Sequence, residues 1–186
     1  MLAGERRKVQ ETAMKNFSGA VLFLDRNDIN TDEIIPAKYL TENTKEALQP
    51  HILEDLHLPG FDAKNDVAGK NIIVTKSNFG CGSSREHAVW VLEVNNINVV
   101  IAESFARIFR QNMFNCGMLA IEVSRKDLAE LFSLGPGTVA SVDLAQSEIV
   151  AEDVNGEKKV AAFELNPFDR ELVQAGGWLA YADSKY

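Results

Sequence analysis

Cysteine is scarce in this chain of 186 residues: Cys81 and Cys116 are the whole complement. Two thiols cannot build the disulfide framework of a small secreted domain, nor an iron–sulfur site of their own. They read as reduced thiols of a cytosolic protein. No apolar run approaches the ~18 residues of a membrane span. Basic residues are outnumbered, 19 Lys and Arg against 27 Asp and Glu, for a net charge of -8, which argues against a nucleic-acid binder with its concentrated basic face. The opening Met1-Leu2-Ala3-Gly4-Glu5-Arg6-Arg7-Lys8 puts no apolar stretch behind its basic cluster, so secretion is not expected. Glu5 and Glu11 sit badly with an acid-poor transit peptide. Cytoplasmic residence is the expectation, and repeats and low-complexity tracts are absent.

What is present suits one globular domain: 46% hydrophobic and 25% charged residues, in a chain long enough to bury a core without staples. Residues 1–16 are polar, with weak helical spacing at Val9 and Met14, and read as a mobile extension or a short surface helix. The domain is expected over 17–186. Short apolar or β-branched runs predict strands at Gly19–Leu24, Asn71–Thr75, Asn98–Ala102 and Met118–Val123. Amphipathic spacing predicts helices at Ser83–Val94, Ser104–Asn115 and Arg125–Phe132. Alternating strand and helix is the crossover pattern of a parallel sheet. Tyr39 to Asp66, acidic and broken by Pro50 and Pro59-Gly60, reads as a solvated excursion of short helices. Past Gly135-Pro136-Gly137 the period changes, predicting strands at Thr138–Leu144, Glu148–Glu152 and Lys159–Leu165 with a hairpin at Asn155-Gly156. Pro167 opens the last helix, ending near Gly176-Gly177. The fold class is α/β with an antiparallel portion added late.

The richest stretch is Asn78-Phe79-Gly80-Cys81-Gly82-Ser83-Ser84-Arg85-Glu86-His87-Ala88, which follows a predicted strand and opens a predicted helix. Gly80 and Gly82 permit tight turns and close approach of a ligand. Ser83-Ser84-Arg85-Glu86 has capping-box spacing, and a helix start with free N–H groups attracts anions. Arg85 adds a donor fork suited to a carboxylate. The same residues also serve as a plain helix cap, and Cys81 with His87 as base is a third possibility. His51 and His57 lack a third convergent ligand, so no metal is expected there. Trp90 and Trp178 read as packing residues, and Arg107 and Arg110 as solvated helix residues or contacts to a partner.

That eleven-residue block resembles the signature of 3-isopropylmalate dehydratase small subunits, shared with the mobile C-terminal domain of aconitase and with homoaconitase small subunits. Two further blocks, Asp28-Ile29-Asn30-Thr31-Asp32-Glu33-Ile34-Ile35-Pro36-Ala37-Lys38-Tyr39-Leu40 and Ser104-Phe105-Ala106-Arg107-Ile108-Phe109-Arg110-Gln111-Asn112, resemble the family's first loop and third block, in the right order.

The resemblance implies a swivelling β/β/α domain and a hydro-lyase that removes and restores water across a cis-alkene. It implies a partner large subunit carrying a 4Fe–4S cluster, in a heterodimer or heterotetramer, with no cofactor or metal on this chain. Ser83 matches the catalytic serine base, Ser84 and Arg85 match residues that hold the substrate carboxylate, and Asp32 matches a first-loop aspartate with an orienting or a turn-forming role. Thr41, just after Tyr39-Leu40, falls where the family meets the variable end of its substrate. Lacking an arginine there, the chain is expected to take a small branched dicarboxylate such as 3-isopropylmalate. A 2,3-dimethylmalate dehydratase or an aconitase-like subunit is the near alternative, and an anion-binding module without catalysis is the alternative of another class.

Overall fold

The computed structural model describes residues 15–186, so all but the last two residues of the expected 1–16 extension lie outside it. The first apolar run forms β1 (Ser18–Leu24), and the next three form β2 (Lys70–Thr75), β3 (Val99–Ala102) and β4 (Leu119–Glu122). These four lie side by side in the order β4-β3-β2-β1, every pair parallel. All four residues of β3 are buried, as expected where both faces of a parallel strand are covered. On the other side of β1 the pairing turns antiparallel, through β5 (Val139–Asp143), β6 (Glu148–Glu152) and β7 (Lys158–Ala162). β1 is therefore the seam between the two halves of a seven-stranded sheet.

Between β1 and β2 run three one-turn helices, α1 (Thr31–Ile34), α2 (Lys45–Leu48) and α3 (Ala63–Asp66). Crossovers α4 (His87–Val94) and α5 (Arg107–Asn115) join β2 to β3 and β3 to β4. Right-handed connection puts both on one face. α6 (Arg125–Ser133) leads to the antiparallel half and packs against both β2 and β7. In a flat sheet those strands would stand about 19 Å apart, wider than one helix of about 10 Å. The sheet must curl around α6. No helix among the described residues is long and apolar enough to cross a membrane.

Four expectations need correction. The helix expected from Ser83 begins at His87, with no side-chain cap; residues 83–86 are loop and turn. The helix expected from Ser104 begins at Arg107, because Phe105 is drawn into a bridge with Phe79. The excursion is only partly solvated: Leu48, Ile52, Leu53 and Leu56 are buried in the core. Finally, α7 (Pro167–Ala175), capped by Asn166, is not the last helix, since α8 (Trp178–Lys185) restarts after Gly177. Trp178 is half-exposed, in an aromatic cluster with Phe168 and Tyr181, whereas Trp90 packs against the core.

Candidate active site

In open α/β sheets, ligands bind beyond the carboxyl ends of the parallel strands. Here the loops leaving β1, β2 and β3 carry the three sequence blocks, and main-chain bonds stitch them together. Thr31 N–H donates to Cys81 O at 2.8 Å, and Gly80 N–H to Ile29 O at 2.8 Å. Phe79 N–H donates to Ser104 O at 3.2 Å, and Ala106 N–H to Phe79 O at 3.0 Å. Asn30 bridges Cys81 and Phe79 bridges Phe105 in short parallel pairings. Asn78 donates from its amide side chain to Asp28 at 2.9 Å. The three loops form one platform.

Gly80 and Gly82 make that platform possible. Their φ angles are +80° and +103°, left-handed values that disfavour other residues. A Cβ on Gly80 would enter the Phe109 ring, and one on Gly82 would come 3.2 Å from Thr31 Oγ1. The backbone thus passes directly over Thr31 and delivers Ser83 beside it. Ser83 N–H donates to Thr31 Oγ1 at 3.1 Å, and the two hydroxyl oxygens are 3.2 Å apart. Thr31 is buried and Ser83 half-buried.

The expected capping box at Ser83–Glu86 is absent; the reciprocal box is made by Asn30 and Glu33 around α1. Glu33 accepts from Asn30 N–H at 3.0 Å and pairs with Arg26. Burial alone would raise its carboxyl, but the Arg26 guanidinium and the Asn30 N–H hold it below its ordinary value. This box fixes the turn that presents Thr31 and Asp32. Without a helix start at Ser83, the helix-dipole account of a basic hydroxyl loses its basis. The N–H groups of Ser84, Arg85, Glu86 and His87, which follow Ser83 in the chain, donate to no acceptor among the described residues.

Of the residues predicted to handle substrate, Asp32 and Arg85 meet directly, Oδ1 to Nη1 at 2.5 Å. The Asp32 side chain is 63% exposed, so the pair is of the exposed kind worth about 0–1 kcal/mol. Ser84 is exposed, its carbonyl accepting from Asn112 Nδ2 at 3.4 Å. Thr41 is exposed, and the carbonyl of its neighbour Glu42 lies 3.3 Å from His87 Nε2. Its turn is anchored from behind: Tyr39 stacks on His51 at 3.7 Å and donates to Glu54 at 2.7 Å, while His51 Nδ1 lies 2.9 Å from Glu54. His51 thus helps to hold a loop. Burial would raise Glu54, but Tyr39, His51 and Lys38 together hold it low.

Cys81 sits on the platform, but burial and the nearby Asp28 charge raise its thiol, and His87 is turned toward Glu42 and the Trp90 ring. That is a poor setting for a thiolate nucleophile. Cys116 follows α5 and is pushed up to about 11, by burial first and then by Glu93. Among the described residues no three His, Cys, Asp or Glu side chains converge to hold a metal. A cavity of ≈ 1060 Å³ lies away from Ser83, beneath the excursion, lined by His51, Leu53, Glu54, His57 and Phe61 among others. Arg107 is exposed, while Arg110 folds back onto the chain, giving Nε to Ala120 O at 3.1 Å. Thr31, in contact with Ser83 through two bonds, is the residue of this platform that sequence reasoning missed. Its signal was Asn30-x-x-Glu33, a capping spacing that places Thr31 first in a helical turn.

The family model of the aconitase C-terminal domain matches residues 5–126, which include all three loops of the platform, and the chain belongs to that family. Within it, the chain is similar to 3-isopropylmalate dehydratase small subunits. It is 40% identical to small subunit 2 of Deinococcus radiodurans over 84% of this chain and 71% of that protein. It is 36% identical to the small subunit of Aromatoleum aromaticum, covering 89% of this chain and 86% of the other. A solved structure of 3-isopropylmalate dehydratase from Methanocaldococcus jannaschii shares the fold at TM-score 0.75 and 31% identity, covering 91% of this chain and 94% of that one.

Proposed function

We propose that this chain is the small subunit of a heteromeric hydro-lyase that interconverts 3-isopropylmalate and 2-isopropylmalate through the cis-alkene, with Ser83 as the base. Carrying this reading is the placement of Ser83: its hydroxyl is held against Thr31 on the hydrogen-bonded platform, and Asp32 and Ser84 on the same loops are exposed. Such a ledge is half of a site, and a large subunit in the cytoplasm would supply the other half. The domain swivels to close over that subunit and exclude water.

The donors present do not fit an iron–sulfur cluster, since two raised thiols cannot supply its ligands. A 4Fe–4S cluster therefore belongs to the large subunit, where it would supply the Lewis acidity for the departing hydroxyl. The work of this chain is positioning and proton transfer. A free serine hydroxyl is too weak an acid to be ionised unaided. The four unpaired N–H groups and the Arg85 charge favour its ionised form. Asp32 engages one nitrogen of Arg85, leaving the other donors of the fork for a substrate carboxylate. Ser84 adds a hydroxyl, and Thr41 faces the branched end. No arginine stands in that turn to pair a third carboxylate, which favours a branched dicarboxylate over a tricarboxylate.

Reconstitution with the large subunit, assaying isopropylmalate, dimethylmalate, citrate and homocitrate side by side, tests this directly. Isopropylmalate should give the highest kcat/KM; dimethylmalate leading would move the assignment to a related hydro-lyase. Ser83→Ala should lower kcat by about 10²–10⁴-fold, whereas Cys81→Ser should stay active. Full activity of Ser83→Ala would remove Ser83 as the base, and purification without any cluster-bearing partner would leave an anion-binding module as the better account.

A further inference from the structure

Thr31 and Ser83 are 52 residues apart in sequence, yet they share a two-bond contact. A hydroxyl has one donor and two acceptor lone pairs. One lone pair of Thr31 Oγ1 is taken by the Ser83 N–H. Its own hydrogen and the second lone pair remain for Ser83 Oγ, 3.2 Å away. When Ser83 is neutral, either hydroxyl can donate. When Ser83 is ionised only Thr31 can, because an alkoxide has no proton to give.

Thr31 is also unusually well fixed for this purpose. It is 1% exposed, so water cannot readily replace Ser83 as its partner. Its N–H is tied to Cys81 O, the Asn30–Glu33 box holds its turn, and Gly82 lies against it. Among the described residues, no other side chain is hydrogen-bonded to Ser83. A hydrogen bond to a charge is roughly twice as strong as a neutral one.

We propose that Thr31 is a positioning residue that fixes Ser83 through its N–H and donates its hydroxyl proton to the ionised Ser83 Oγ. This rests on the reading of Ser83 as the base. In the dehydrating direction the ionised oxygen takes the carbon-bound proton and becomes a neutral hydroxyl. The electron pair of the broken C–H bond forms the alkene as hydroxide leaves. The neutral Ser83 then turns its new hydrogen to the second lone pair of Thr31. In hydration the sequence runs backward, with Ser83 returning a proton to carbon and Thr31 again donating to the oxygen left behind.

The test compares Thr31→Val, of similar shape but without the hydroxyl, with Thr31→Ser and Ser83→Ala, each in the reconstituted heteromer. Thr31→Val should lower kcat roughly 10- to 100-fold, the loss of a hydrogen bond to a charged group. KM should move less than about 3-fold, since uniform binding of substrate is untouched. Thr31→Ser should restore most of kcat. Equal losses in Thr31→Val and Thr31→Ser would assign Thr31 to methyl packing, and a change confined to KM would place it in substrate binding; either overturns the proposal. If Thr31→Val fails to assemble, Thr31→Ser against Thr31→Ala decides the same point, with equal activities overturning it. An inactive Ser83→Ala beside a fully active Thr31→Val removes only the role of Thr31. A fully active Ser83→Ala removes the base itself.

Discussion

Replacing Gly80 by Ala puts the platform under a defined load. Gly80 has φ +80°, and a residue with a Cβ in the left-handed region loses about 1–2 kcal/mol. The new Cβ would also be driven into the Phe109 ring. That ring is 2% exposed and packs edge-on against Phe79 at 5.3 Å between centroids, so it has little space to retreat. Overpacking of this kind costs about 1–3 kcal/mol. Together the two effects remove about 2–5 kcal/mol, a large part of the 5–15 kcal/mol typical of a domain. For a chain of this size the midpoint of thermal unfolding should fall by roughly 4–20 °C, measured by circular dichroism with urea titration alongside. In a Phe109→Ala background the collision is gone and only the backbone cost remains, so Gly80→Ala should cost about 1–2 kcal/mol there. An osmolyte can keep that background folded. A loss below about 1 kcal/mol in the parent, or the same loss in both backgrounds, would refute the reasoning. Activity in the heteromer should fall with the platform, because Ser83 is three residues further on.

Glu33 and Glu54 are both held below their ordinary value of 4.5 in the fold. The unfolded chain therefore binds more protons between the folded and ordinary values, and stability rises with pH there. The contribution is complete above about pH 5 and is lost as pH falls through the lowered folded values. Glu33→Gln should flatten that acid limb in denaturation midpoints measured from neutral to acid pH; an unchanged limb would contradict the Arg26 and Asn30 contacts. Cys116, at about 11 against an ordinary 9.0, should carry about 100-fold less thiolate at mildly alkaline pH than an exposed cysteine. Iodoacetamide should label it far more slowly in the native chain than in urea, and equal rates would show that the burial is wrong.

The parallel strands were readable because each is a short apolar or β-branched run, and a parallel strand covered on both faces has little other choice of sequence. The change of pairing after Gly137 was equally visible in the altered period. What sequence reasoning could not see was pairing between loops. Ser83 to Glu86 has a spacing suited to a helix cap, yet the bridges from Asn30 to Cys81 and from Phe79 to Phe105 hold the chain just before it, and the helix begins only at His87. Tertiary pairing overrode local preference. Thr31 escaped notice for a similar reason: the Asn30-x-x-Glu33 spacing around it marks only a local turn, whereas its contact is to a residue far along the chain. The restart of the chain as α8 was hidden by Gly176-Gly177, which reads as a stop although the second glycine only turns the chain into another helix.

Arg110, folded back onto the chain, bears on a different hazard. Leu119 and Val123 turn their N–H groups inward to β3, so by alternation Ala120 turns its carbonyl outward from the last parallel strand. The guanidinium covers that carbonyl, stacked between the Phe105 and Phe114 rings. At the opposite margin, β7 carries Lys158 and Lys159. An uncovered margin is a template on which a second molecule can add its own strand and begin a polymer. The guanidinium and the two lysines are thus positioned to keep an enzyme subunit from growing into a fibre.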